Sequence, residues 1–109
     1  MRAEAQGKTD KQNIKNLHIM IELKRSSEDE WLVEVKGTVR THHRVRVTKA
    51  EIEQLAQGRP VEDLLRESFH FLLEREPNTS ILPSFALLQI ESYFPEYREE
   101  IRARLGKRE

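Results

Sequence analysis

The stretch from Lys36 to Lys49 is the most basic part of the chain. It holds five Lys or Arg side chains and two histidines, and it contains no Asp or Glu. In an extended strand, alternation places one polar set on a single face: Arg40, His42, Arg44 and Arg46. Guanidinium groups donate paired hydrogen bonds to phosphates and guanine edges, so this set is a candidate nucleic-acid contact. The alternative is a solvated sheet face on which the arginines pair across strands with Glu22 or Glu34.

The other polar residues show no arrangement typical of an enzyme or a metal site. His42 and His43 are neighbours in a predicted strand, so their side chains project from opposite faces and cannot share one ion. Ser68 and His70 lie about 200° apart around a predicted helix and cannot exchange a proton. The four glycines are too dispersed for a phosphate-binding loop. We therefore expect no catalytic residue, no cofactor, no metal and no small-molecule site.

A second candidate surface is apolar and lies between residues 81 and 94. Apolar side chains occur there on nearly every side of a predicted helix. Aromatic residues often anchor protein interfaces, so the segment is a candidate protein interface. Its expected contact residues are Phe85, Leu88, Tyr93 and Phe94. The alternative is that the same side chains fill the core of the chain itself.

Composition narrows the class of protein. The chain has 109 residues, with 19 Lys or Arg against 19 Asp or Glu and therefore no formal net charge. This length suits one domain, since domains span roughly 100–200 residues. No apolar run approaches the ~20 residues of a membrane helix, so we expect no membrane segment. The absence of cysteine excludes disulfides and thiolate metal sites, and with no apolar signal segment at the N-terminus it favours the cytoplasm.

Alternating hydrophobicity predicts a three-stranded antiparallel meander. The strands cover about residues 17–25, 30–36 and 38–47. Gly37 is expected to supply the positive φ of a two-residue hairpin turn between the second and third strands. The third strand is longer than the second. Its far end therefore either lacks a neighbour and is open to another strand, or bends near Thr41.

Four helices are predicted after the sheet. They cover about residues 49–57, 60–76, 84–93 and 95–105. Thr48 and Glu51 have the spacing of a capping box at the start of the first helix, and Ser84 is a candidate cap for the third. Three strands cannot close a barrel, so helices must cover one face of the sheet.

The predicted fold class is therefore α+β. We expect residues 17–106 to form a single domain, residues 1–16 a mobile polar tail, and residues 107–109 a short C-terminal tail.

Residues 43–76, HRVRVTKAEIEQLAQGRPVEDLLRESFHFLLERE, resemble a ribbon-helix-helix unit. In that family an alternating strand precedes a short helix, a glycine turn and a longer helix of ELIREAL type, which is similar to DLLRESF here. The resemblance covers about a third of the chain. It implies a dimer whose paired strands enter the DNA major groove, as in repressors and antitoxins. It places His42, Arg44 and Arg46 at groove-facing positions, and Val45 and Val47 at core-facing positions.

Two functional hypotheses remain from the sequence. The first is a small non-enzymatic cytoplasmic binding module that acts through protein contacts, by self-association as a homodimer or with a protein partner. The second is a DNA-binding regulator or antitoxin of ribbon-helix-helix kind that uses the basic strand at residues 40–46.

Overall fold

The computed structural model describes residues 19–106. The predicted tails, and the first two residues of the predicted first strand, lie outside the described residues. Strands β1 (Met20–Ser27), β2 (Glu30–Lys36) and β3 (Arg40–Arg46) form an antiparallel meander. The predicted α+β class and the predicted meander are therefore confirmed.

The hairpin between β2 and β3 differs from the predicted two-residue turn. Lys36 pairs with Arg40, which leaves a three-residue loop at positions 37–39. Gly37 does not have a positive φ, so the conformation expected of it is wrong. The longer loop does not need the left-handed glycine that a two-residue turn requires. Gly37 instead allows the side chain of Ile19 to lie close to the backbone of the loop, because a Cβ atom at position 37 would lie 3.3 Å from Ile19 Cγ1.

A fourth strand that the sequence pattern did not predict, β4 (Ser84–Ala86), pairs in parallel with the end of β3. The order across the sheet is β1-β2-β3-β4. Two backbone hydrogen bonds flank the parallel pair: the N–H of Arg44 donates to Pro83 O, and the N–H of Leu87 donates to Arg46 O, both at 2.8 Å. Strand β3 therefore has neighbours on both sides within the chain, and the expected open far end is not present.

Four helices follow, in agreement with the predicted number. They are α1 (Lys49–Leu55), α2 (Val61–Leu73), α3 (Gln89–Tyr93) and α4 (Tyr97–Gly106), and a 3₁₀ turn covers Asn78–Ser80. The predicted capping box is present: the N–H of Glu51 donates to Thr48 Oγ1 at 3.2 Å, and the N–H of Thr48 donates to Glu51 Oε1 at 2.9 Å.

The predicted start of the third helix at Ser84 is wrong, because residues 84–86 are extended and the helix begins at Gln89. Leu82 precedes Pro83, and a residue before proline is sterically biased toward extended conformations. The chain therefore enters β4 in an extended form, and its polar backbone groups bond to the edge of β3 instead of to a helical turn.

Helix α2 lies between the sheet and α4. On its sheet side, the ring of Phe69 lies 5.5 Å from that of His43 and 6.2 Å from that of Phe85, measured between centroids. On its other side, the ring of Phe71 lies 5.3 Å from that of Tyr97 in α4. The buried apolar residues form one cluster on the helical side of the sheet, which leaves the opposite face of the sheet to solvent.

Candidate interaction surfaces

The outer face of β3 presents the predicted candidate nucleic-acid residues. They are Arg40, His42, Arg44 and Arg46, and all four are exposed. The intervening residue Val45 and the following Val47 are buried against the helices. The alternation of polar and apolar side chains along this strand is therefore the one that the sequence predicts.

Glutamates of β2 contact most of these basic side chains. Arg40 Nε lies 3.1 Å from Glu34 Oε2, His42 Nε2 lies 3.5 Å from the same oxygen, and Arg44 Nη1 lies 3.1 Å from Glu30 Oε2. Glu34 is directly opposite His42 and Glu30 is opposite Arg46, so each glutamate reaches diagonally to an arginine. The face therefore carries interleaved charges of both signs and not a continuous basic stripe.

Arg46 is the exception among these residues. Its guanidinium group forms no ion pair within residues 19–106, because the carboxylate of Glu30 is directed toward Arg44. Glu22, which was a candidate partner for the arginines, binds Lys36 Nζ instead, at 3.0 Å. Arg46 is thus the described side chain of β3 most available to an anionic partner.

His43 lies on the inner face of β3 and belongs to a buried hydrogen-bond network. Its Nδ1 is 2.8 Å from Leu82 O, and its Nε2 is 2.9 Å from Thr41 Oγ1. A neutral imidazole with its proton on Nδ1 satisfies both contacts, donating to Leu82 and accepting from the Thr41 hydroxyl. Asn78 Nδ2 donates to Thr41 Oγ1 at 2.9 Å and to Val39 O at 2.8 Å.

Burial lowers the pKa of His43 below its ordinary value of 6.5, against the opposing effect of the hydrogen bond with Leu82 and with a further lowering from neighbouring His42. The network attaches residues 78–86 to the edge of the sheet, so its role is structural. The sequence contained one signal for it: a histidine at an inward-facing strand position needs buried hydrogen-bond partners.

Ser68 and His70 are two residues apart in α2, and the sequence predicts that their side chains are too far apart around the helix to exchange a proton. In the structure the two side chains have different surroundings. Ser68 Oγ lies 2.7 Å from the Tyr97 hydroxyl in the interior, whereas His70 is exposed and lies 3.8 Å from Glu67. Burial raises the pKa of Tyr97 well above its ordinary value, although the Ser68 hydrogen bond opposes this. Within the described residues, no group of three or more His, Asp or Glu side chains is placed to hold a metal ion.

The apolar segment at residues 81–94 packs largely into the chain's own core. Phe85 and Phe94 are buried, with rings 6.2 Å from Phe69 and 5.9 Å from Phe71 respectively. Leu88 and Tyr93 are half-buried at the margin of the core. Of the four candidate interface residues, only these last two keep part of their side chains accessible to a partner.

Within residues 19–106, β1 and β4 are the two edge strands of the sheet, and β1 pairs with β2 on one side only. Arg66 Nη1 of α2 donates to Ile21 O at 2.8 Å, so the backbone polar groups of Ile21 are directed away from β2. Alternate residues of an antiparallel strand bond to the same side, which places the outward groups of Leu23 and Arg25 on this edge too. For β3, the sequence left an open far end and a bend near Thr41 as alternatives; the open end is not observed, because β4, which no local pattern predicts, pairs with it.

Between Ile19 and Gly106, no helix has the length and apolar character needed to cross a membrane. Comparisons of the chain with models of known protein families, with curated protein sequences and with solved structures found no match in any of the three.

Proposed function

We propose that this chain is a non-enzymatic cytoplasmic binding module that acts through protein contacts and self-associates as a homodimer. The observation that carries the proposal is the unpaired edge of β1, a strand of eight residues, whereas β4 at the opposite edge of the described sheet has only three. An exposed strand edge presents N–H and C=O groups that a strand from a second chain satisfies. The cytoplasmic location is supported by a composition without cysteine.

The charge on the outer sheet face supports a protein partner over a nucleic acid. Glu22, Glu30 and Glu34 lie among the cations of this face, and three of its basic side chains have a carboxylate oxygen within 3.1 Å. Nucleic-acid surfaces gain affinity by neutralising phosphates with cations, and interleaved carboxylates oppose that gain. Protein interfaces accommodate mixed charges readily, because a partner offers both signs.

The ribbon-helix-helix alternative receives less support. Members of that family dimerise through the strand that corresponds to β3, whereas β3 here lies between β2 and β4. On this alternative, Arg46, which has no carboxylate partner within residues 19–106, is the main residue for a DNA contact. Such a contact predicts binding to random duplex at low salt that weakens steeply as salt rises and is lost in the double variant Arg44→Ala, Arg46→Ala.

The test of the main proposal is sedimentation velocity on the full chain over a range from low to high micromolar concentration. We expect a reversible monomer–dimer equilibrium that shifts toward dimer as concentration rises. A strict monomer at high micromolar concentration, together with salt-sensitive binding to duplex DNA, would replace the proposal with the DNA-binding alternative. A strict monomer without DNA binding would remove both.

A further inference from the structure

We propose that two copies of the chain associate edge to edge, by antiparallel pairing of β1 with β1 of the second copy, in the register that places Leu23 opposite its counterpart. The inference rests on the proposed function, since it names the surface through which the homodimer forms. Such a contact is isologous, because both copies use the same strand, and it joins the two sheets into one continuous sheet.

The backbone limits the number of registers. In β1, the backbone N–H and C=O groups that point away from β2 belong to the odd-numbered residues Ile21, Leu23 and Arg25. An antiparallel partner strand must therefore place its own odd-numbered residues opposite these three. The two-fold axis then passes through a residue and not between two residues. Each of the five residues from Ile21 to Arg25 can lie at this axis, opposite the same residue of the second copy, and each such central residue defines one register, called its centre below.

The outer-face charges of β1 select among these centres. A centre at Glu22 places two glutamates directly opposite each other, and a centre at Lys24 does the same with two lysines; both arrangements are destabilising. Centres at Ile21 or Arg25 do not bring Glu22 opposite Lys24. Only the centre at Leu23 places Glu22 opposite Lys24 of the second copy and forms this pair twice.

The local electrostatics favour the additional cation. Glu22 has Glu34 directly opposite it in β2, and Lys36 Nζ, 3.0 Å away, is the cation it contacts. Lys24 forms no ion pair within residues 19–106, and its side chain is exposed on the same face. Lys24 of the second copy would therefore add a second cation beside Glu22, next to Glu34, whose own partners are Arg40 and His42.

The inner side of the edge is also self-complementary. Leu23 is half-buried at the margin of the hydrophobic core. In the proposed register it faces Leu23 of the second copy, so two partly exposed leucines cover each other. The contact from Arg66 to Ile21 O is compatible with pairing, because a carbonyl oxygen accepts two hydrogen bonds.

The experiment compares dimer dissociation constants of full-length variants by sedimentation velocity. Glu22→Lys and Lys24→Glu should each weaken the homodimer by about tenfold or more, because each turns two attractive pairs into repulsive ones. The double variant Glu22→Lys, Lys24→Glu should return to nearly the wild-type dissociation constant. An equimolar mixture of the two single variants should form heterodimers, because one strand then carries two lysines and the other two glutamates.

Controls separate a lost interface from a lost fold. Glu53→Lys makes the same charge change on the exposed side of α1 and should leave the dissociation constant unchanged. Fluorescence of Trp31, the single tryptophan, reports folding of each variant. If a charge reversal unfolds the monomer, the neutral variants Glu22→Gln and Lys24→Gln should weaken the dimer by about two- to threefold.

The outcomes distinguish the two proposals. A wild-type dimer whose dissociation constant is insensitive to both charge reversals would overturn the β1 pairing and leave self-association standing. A wild-type chain that is monomeric at high micromolar concentration would overturn both. A dimer weakened by each reversal and restored by the double variant supports this register.

Discussion

His43 Nδ1 lies 2.8 Å from the carbonyl oxygen of Leu82, a residue 39 positions later in the chain. The contact crosses from the inner face of β3 to the segment that enters β4. It requires an N–H on Nδ1, and the Thr41 hydroxyl on the other side of the ring then donates to Nε2. A proton added to Nε2 removes this acceptor and places a charge in the core.

The first prediction concerns the pH dependence of stability. The lowered pKa of His43 means that the unfolded chain binds this proton at a higher pH than the folded chain does. The stabilisation that neutral His43 contributes is therefore complete when the pH is above the ordinary histidine pKa of 6.5. It is lost as the pH falls toward the lower pKa of the folded chain, and the free energy of unfolding then decreases by up to about 1.4 kcal/mol per pH unit. Denaturant unfolding followed by Trp31 fluorescence at several pH values measures the loss.

Two histidine variants separate this contribution from that of other groups. His43→Gln should remove most of the pH dependence in this window, whereas His42→Gln, at an exposed position on the opposite face, should retain it. A His43→Gln variant with the wild-type slope would show that another group is responsible.

The second prediction concerns Asn78, which donates to both Val39 O and Thr41 Oγ1. Asn78→Ala leaves these acceptors without their donor, and we expect the free energy of unfolding to fall by about 1–3 kcal/mol. Hydrogen exchange should accelerate at the amides of Arg44 and Leu87, which bond β3 to residues 83–87. The matched control is Thr79→Ala, at the exposed neighbouring position. Unchanged exchange in Asn78→Ala would mean that the amide is not needed to attach the segment.

The third prediction concerns the buried pair of Ser68 and Tyr97, whose hydroxyl oxygens are 2.7 Å apart. Ser68→Ala or Tyr97→Phe alone leaves one buried hydroxyl without this partner and should cost about 1–3 kcal/mol. The double variant removes both polar groups, so its cost should be smaller than the sum of the two single costs. A double-mutant cycle from chemical denaturation measures the difference. Strict additivity would contradict an energetically coupled pair.

The fourth prediction concerns the end of α1, where Gln57 and Gly58 have φ values of 54° and 80°. Glycine adopts this left-handed region without the steric cost of a side chain, so Gln57→Gly should raise the free energy of unfolding by about 0.5–1 kcal/mol. Gly58→Ala should lower it by about 1 kcal/mol, and the cost is one of backbone conformation, because no atom beyond the two adjacent residues lies within 4 Å of the added Cβ. Thermal unfolding of both variants tests the pair. Equal shifts of the same sign in the melting temperatures of the two variants would contradict the interpretation that left-handed backbone conformation decides stability at positions 57 and 58.

Features that depend on residues close together in the chain were predicted correctly. The alternation from Thr41 to Val47 identifies which side chains face the core, because successive strand residues point to opposite faces. The capping box of Thr48 and Glu51 joins groups three residues apart. The arginine partners were predicted only in part: pairing with Glu34 was foreseen, but the role of Glu30 depends on the register between β2 and β3.

The neighbours of each strand are set by contacts between distant residues, and no local pattern specifies them. A strand of three residues such as β4 has no measurable period, so the sequence pattern predicts its residues as part of a helix that is apolar on nearly every side. Its position depends on hydrogen bonds from Arg44 to Pro83 and from Leu87 to Arg46, about forty residues apart. Pairing with β4 covers the end of β3 and makes β1 and β4 the two edge strands of the described sheet, of which β1 is the longer. Local periodicity therefore indicates which side chains are buried, whereas long-range pairing determines which strands form the edges of the sheet.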